Sequence, residues 1–201
     1  MRVLLSVLAL LMLATAAHAQ STEAPMYSVG DTWKRSNGTE VTVVKVDDSG
    51  YVYKGGRLDC PSCLTQIDKR LTLVAVTDAD GKPVDPTQLE GVFVGPNWRF
   101  YEWPLEAKKS WTVSGTRIWK GTPQSLAADI TVKSYEDVKT KAGVFKAYKI
   151  EYRFTGRSAG ADRNFGWTIT SWYAPDVKQT VKAISTSATF REWELESYSL
   201  K

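Results

Sequence analysis

Along most of the chain hydrophobic and polar residues alternate with a period of two, the spacing of a strand with one face in a core and the other in water. The clearest stretch is 147–154, where Tyr148, Ile150, Tyr152 and Phe154 share one face and Lys149, Glu151 and Arg153 the other. The same rhythm predicts strands around 40–46, 50–54, 71–77, 98–103, 111–119, 129–138, 167–173, 180–185 and 193–200. Turn residues fall between them: Asn37 with Gly38, Asp48 to Gly50, Asp80 with Gly81, Ala142 with Gly143, and Ala174 to Asp176. About ten strands at this spacing, with almost no helical periodicity, predict an all-β fold. Its expected form is a strongly curved antiparallel sheet or a barrel with mostly hairpin connections.

Three places break the rhythm. In 193–200 the phase shifts, since Trp193 and Leu195 share one face while Tyr198 and Leu200 share the other; a bulge or burial of both faces would reconcile them. Residues 85–90 offer the one helical turn, with Asp85 as N-cap and Pro86 at the first helical position. Residues 156–166, rich in Gly and Ala, read as a long hairpin loop. No linker divides the rest, so residues 20–201 are expected to form one β domain.

The N-terminus is of another kind. Arg2 precedes an apolar run from Val3 to Ala17, and Ala17, His18 and Ala19 form a small-x-small site, the pattern of a secretory signal peptide over residues 1–19. The run is shorter than the roughly 18 residues wanted of a spanning helix, and no second such run follows, so the mature chain is expected to lack a transmembrane segment. The protein is therefore expected in the periplasm or the medium. Removing residues 1–19 also removes His18, the one histidine in the chain. A histidine-free domain has no imidazole base, no Ser-His or Cys-His nucleophile and none of the commonest metal ligand. The formal net charge of +4 is too small to argue for a nucleic-acid partner.

Several short motifs stand against this background. Cys60 and Cys63 are the two cysteines, and in an exported chain they most simply form a disulfide across a tight turn. Loop closure for so small a ring is worth about 2 kcal/mol, enough to staple a loop but not to hold the fold. A redox pair would need the first Cys at a helix N-terminus, whereas a strand-like run follows. A zinc site would need carboxylates or a second molecule to complete its ligands. Gly156, Ser158 and Gly160 match G-x-S-x-G, but a nucleophile elbow also needs a following helix and a histidine. Asp78, Asp80 and Gly81 begin like a calcium loop, yet the glycine comes early and Leu89 stands where a bidentate acid belongs. Paired carboxylates meet in space, and no particular pair is nominated by the sequence.

The second half resembles a family of uncharacterised exported bacterial β-domains. The matching pieces are 104–111 from Pro104 to Trp111, 142–147 from Ala142 to Ala147, 172–175 from Trp172 to Pro175, and 194–198 from Glu194 to Tyr198. The resemblance implies a secreted antiparallel domain, curved in the manner of periplasmic lipoprotein carriers, and brings no catalytic residues. Lys108 and Lys178 stand where the family pattern has glycine, which implies that those two turns are built differently.

The eight tryptophans all lie beyond the leader. One reading assigns them to core packing and cross-strand pairs. The other notes that 98–103 carries aromatics on both faces, so one set would be free to line a groove. On that basis the leading expectation is a non-enzymatic binding domain that takes an apolar or envelope-derived ligand in an aromatic-lined concavity. Its candidate binding residues are Trp98, Tyr101, Trp103, Trp119 and Trp172. Two alternatives remain: a structural or interaction protein that offers a sheet edge or aromatic patch to an envelope protein, and a carboxylate-based enzyme without histidine. No cofactor is expected, and the expected partners are a lipid or an envelope protein.

Overall fold

The computed structural model describes residues 21–85, 89, 93–94, 98–119, 122–158 and 164–201. The expected leader and most of the expected helical turn at 85–90 lie outside the described residues. The strands in chain order are β1 (Ser21–Thr22), β2 (Thr32–Arg35), β3 (Glu40–Asp47), β4 (Gly50–Gly55), β5 (Leu64–Ile67), β6 (Leu73–Thr77) and β7 (Phe93–Val94). They continue with β8 (Leu105–Glu106), β9 (Ser110–Trp119), β10 (Thr122–Thr140), β11 (Gly143–Ser158), β12 (Asn164–Ala174), β13 (Gln179–Ser185) and β14 (Trp193–Ser199). Strands beyond the expected ten are the short ones, of two to four residues, too brief for a period to show.

Twelve of these strands form one antiparallel sheet in the order β6-β5-β4-β3-β2-β14-β13-β12-β11-β10-β9-β7, and β1 pairs with β8 apart from it. Most neighbours in the sheet are neighbours in sequence, because a hairpin is the shortest way to pair two antiparallel strands. The exceptions are β7, which pairs with β9 across β8, and β14, which pairs with β2 and so joins two meanders. Among the described residues the order is linear, with β6 and β7 as edges; the sheet is open rather than a closed barrel. It is nevertheless curled, since the turn between β5 and β6 meets the segment before β8: Trp103 Nε1 donates to the Arg70 carbonyl at 3.1 Å and Arg70 pairs with Glu102 at 2.9 Å. Bulges supply the bend. The β14 register skips Glu196, so that Leu195 faces Arg35 and Tyr198 faces Trp33. That bulge brings Leu195 and Tyr198 onto one face and resolves the phase shift of the last strand.

The long hairpin of β10 and β11 shows why one sheet has two cores. Tyr148, Ile150, Tyr152 and Phe154 are buried, as their period predicts, and pack with Leu126 to Val132 of β10 in one cluster. Ala147, next to Tyr148 and pointing to the opposite face, is equally buried, but in a second cluster with Trp33, Val43, Trp172 and Leu195. On β10 the switch is made by a bulge, since Val132 faces Ile150 while Ser134 faces Lys149, leaving Lys133 unpaired in the ladder. Leu71, in the β5–β6 turn, touches both clusters.

Two sequence expectations change. Residues 98–103 are not a strand; their side chains hold the segment in place instead of ladder bonds. The loop expected over 156–166 is shorter, because β11 runs to Ser158 and Gly156 still faces Phe165 of β12. There a side chain on Gly156 would collide with the side chains of Leu126 and Phe165, so only glycine fits the packed pair of strands.

The turns at Lys108 and Lys178 are not built differently. Both residues adopt the left-handed backbone that glycine favours, with φ of 73° and 57°. Lys178 follows the 3-10 turn Pro175–Val177, and its ammonium reaches Asp31 at 3.2 Å. Asp31 is wholly buried and also accepts from the backbone N–H of Ser28 at 3.0 Å and of Lys201 at 2.7 Å. Burial works to raise its pKa, but these donors prevail and hold it below the ordinary value.

Lys108→Gly is expected to stabilise the protein by about 0.5–1 kcal/mol by relieving the left-handed strain. Lys178→Gly gains less, because it also removes the contact to Asp31; urea denaturation showing equal gains would contradict this account. Asp31→Asn is expected to cost about 1–2 kcal/mol at neutral pH. Because the folded pKa is lowered, this contribution is present above the unfolded pKa of about 3.9 and lost as pH falls through the folded one. The gap between variant and parent should therefore narrow in acid, and a gap that stays constant down to the acid transition would refute the assignment.

Candidate ligand-binding site

The segment 98–103 brings three of the five expected binding residues together. Tyr101 stacks on Trp103 with centroids 5.2 Å apart, and both meet the ring of Tyr173 edge-on, at 5.4 and 5.3 Å. Trp98 stacks on Phe154 at 6.2 Å. Phe100 bridges the group, edge-on to Trp98 and to Tyr152, both at 6.0 Å. Such offset and T-shaped contacts each add about 0.5–1.5 kcal/mol beyond area burial. The aromatic wall therefore belongs to the inward face of β11 and β12, covered by a segment that has no sheet pairing of its own.

The other two residues lie elsewhere. Trp119 ends β9, where the Arg117 guanidinium sits 4.9 Å from its ring and 4.6 Å from that of Trp167. Arg117 is also held by Gln124 Oε1 at 2.7 Å, and burial lowers its pKa. Trp172 points to the opposite face from Tyr173 and belongs to the other core. Its Nε1 donates to Glu136 Oε1 at 2.9 Å, with Lys149 and Lys182 flanking the ring. The Glu136 carboxylate is held low by bonds from Ser134 and Trp172.

Opposite the aromatic wall the first meander contributes a tyrosine cluster that the alternation does not single out. Tyr27 is ringed edge-on by Trp33, Tyr51 and Tyr53 at 5.5, 4.9 and 5.6 Å, and its hydroxyl donates to the Lys178 carbonyl. The phenols of Tyr27, Tyr53, Tyr101, Tyr152 and Tyr173 are all pushed up, by burial first, and for most of them by one another across the junction of the two halves. They remain protonated hydrogen-bond donors at any physiological pH.

Arg35 lies within electrostatic reach of three of them, Tyr101, Tyr53 and Tyr27. On β2 it follows Trp33 on the same face, and its guanidinium rests 4.3 Å over the Trp193 ring. Its Nε is buried without an acceptor, and no carboxylate among the described residues pairs with it. Burial pushes its pKa down to about 10, opposed by Tyr101, Tyr53 and Tyr27, so it stays a cation. The only sequence signal for it is an Arg at an inward position of a short strand.

The remaining motifs are structural. Cys60 and Cys63 are joined as a disulfide, and Cys63 packs in a small core with Val76 and Leu89 before entering β5 rather than a helix. The Asp78 carboxylate accepts from the backbone N–H of Asp80 and Lys82, both at 2.9 Å, which is a closed turn. Ser158 is a strand residue whose hydroxyl accepts from Gln124; Gly160 lies outside the described residues.

The chain matches no protein-family model and no curated protein. It is similar to three solved structures. A candidate lipoprotein from Parabacteroides distasonis has a TM-score of 0.47 and 15% identity, covering 90% of this chain and 100% of its own. The hypothetical lipoprotein YmcC from Escherichia coli has a TM-score of 0.43 and 10% identity over 90% of each chain. A candidate exported protein with a YmcC-like fold from Bacteroides fragilis has a TM-score of 0.43 and 15% identity, over 90% of this chain and 100% of its own.

Trp103→Phe keeps the ring but removes the bond to the Arg70 carbonyl. It is expected to cost about 1 kcal/mol and to expose the 98–103 segment to faster amide exchange, read by mass spectrometry, while leaving β10 and β11 protected. Uniform loss of protection across the sheet would mean that the segment is not a separable cover.

Proposed function

We propose that the protein is an exported, non-enzymatic domain that holds an apolar or envelope-derived ligand against the wall formed by Trp98, Tyr101 and Trp103, with Tyr173 behind them. The observation that carries this reading is the way the wall is covered. Residues 98–103 are fixed by ring contacts and by bonds to Arg70, not by a ladder, so an acyl chain can replace the same contacts without breaking the sheet. Export is supported by the leader pattern and by a disulfide, which persists in an oxidising compartment. A binding role is favoured over catalysis by the absence of histidine beyond the leader and by the state of the nearest carboxylate. Glu102 is neutralised between Arg70 at 2.9 Å and Arg99 at 2.7 Å.

A second reading, docking to an envelope protein, is favoured by one feature. The edge strand β6 is bridged on its outer side by Pro83 and Val84 near its end, and it carries Val74 at 58% exposure. Crosslinking in intact cells separates this reading from the first.

Protein purified from its native envelope is expected to carry lipid detectable by mass spectrometry. Neutral N-phenylnaphthylamine is expected to brighten on binding, and Trp98→Ala together with Trp103→Ala to weaken that binding by about tenfold. Lipid-free protein that also leaves the dye dark would overturn the proposal.

A further inference from the structure

We propose that Arg35 anchors the anionic oxygen headgroup, carboxylate or phosphate, of an amphiphile whose chain lies along the aromatic wall. The inference rests on the binding reading above and gives the ligand a polar end. A cation in an aromatic interior is costly unless an anion or strong acceptors meet it, and a permanent structural partner is the usual solution. Arg35 has none: its Nε is buried and unbonded, no described carboxylate pairs with it, and its guanidinium lies 4.3 Å from the centre of the Trp193 ring. Every other arginine with a charged or aromatic contact near the cluster is already engaged, Arg70 and Arg99 by Glu102 and Arg117 by Gln124. The residue as a whole retains partial exposure, so its fork is not sealed off.

The surroundings suit an oxyanion better than a second protein group. A guanidinium offers two parallel N–H donors matched to a carboxylate or phosphate. Tyr101, whose phenol feels the Arg35 charge, shares its hydroxyl with Thr180 Oγ1 at 2.8 Å, and a bound anion would compete for that bond. Tyr101 also stacks on Trp103, so the phenol that feels the Arg35 charge is itself part of the apolar wall. A bound anion would thus meet a guanidinium that has neither a carboxylate nor a hydrogen-bond acceptor, while its chain replaced the ring contacts of residues 98–103.

The test is displacement of N-phenylnaphthylamine from the full-length mature protein by dodecanoate, dodecyl phosphate and neutral dodecanol. The parent protein is expected to prefer at least one anionic competitor over dodecanol by about tenfold; which of the two wins identifies the headgroup as carboxylate or phosphate. Arg35→Met is expected to erase that preference while keeping dye and dodecanol binding, and to unfold at the same or a higher temperature, because a lone buried charge has been removed. Arg35→Lys, which keeps the charge without the fork, should retain part of the preference, so the inference is readable even if the methionine variant folds poorly. Equal competition by all three compounds in the parent overturns the anchor and leaves the apolar reading standing. Failure of every compound and of the dye overturns both, and an Arg35→Met protein that is destabilised yet still prefers the anion shows Arg35 to be structural only.

Discussion

The pairing of the last strand with the first long meander is the constraint on which the architecture depends. β2 to β6 form one meander and β9 to β13 the body of the other, and each could pair internally without the other. β14 leaves the second meander by only two paired positions, Lys182 with Glu194 and Ala183 with Trp193, and then runs along β2 from Leu195 to Ser199. The joint is reinforced at its end by Asp31, which gathers the start of β2, the 3-10 turn after β12 and the backbone of Lys201 around one buried carboxylate. A contact between segments so distant in sequence is entropically expensive to form, and it offsets that cost by turning two half-sheets into one curled sheet with two cores.

The same pairing sets the character of the interior. It places Arg35 opposite Leu195 and over the Trp193 ring, and it brings Tyr27 and Tyr53 of one meander toward Tyr101 and Tyr173 of the other. The result is an aromatic interior whose hydroxyls and one cation keep a polar thread through it. Phenylalanine would fill such a space with less desolvation; the tyrosines offset that cost with bonds inside the protein, Tyr27 to the Lys178 carbonyl, Tyr51 to the Pro25 carbonyl and Tyr101 to Thr180.

The turns at Lys108 and Lys178 illustrate how tolerant the frame is. Glycine is the residue that such backbone prefers, yet lysine holds the same conformation at both places. At Lys178 the side chain adds a charge next to buried Asp31, so part of the strain is offset by a contact that glycine would not make. Fold constraints thus act on the backbone path, and the residue that follows the path is negotiable.

What the sequence by itself determined was local. The period of two placed the long strands, since alternation is imposed by the strand geometry of each segment alone, and Asn37, Gly38, Asp80 and Gly81 marked turns for the same local reason. The absence of histidine after His18 narrowed the chemistry of the β domain too, because a missing side chain is missing however the chain folds. The tertiary structure decided whatever depends on which segments meet. Trp98, Tyr101 and Trp103 share a wall, though not as a strand; Trp172 faces away from it, and its neighbour Tyr173 takes the place expected of it. Arg35, inconspicuous in a four-residue strand, became the most unusual group in the interior. Alternation sorts side chains between two faces, but a sheet buried on opposite faces at its two ends gives neither face a constant meaning, and only the long-range pairing of β14 with β2 assigns each one.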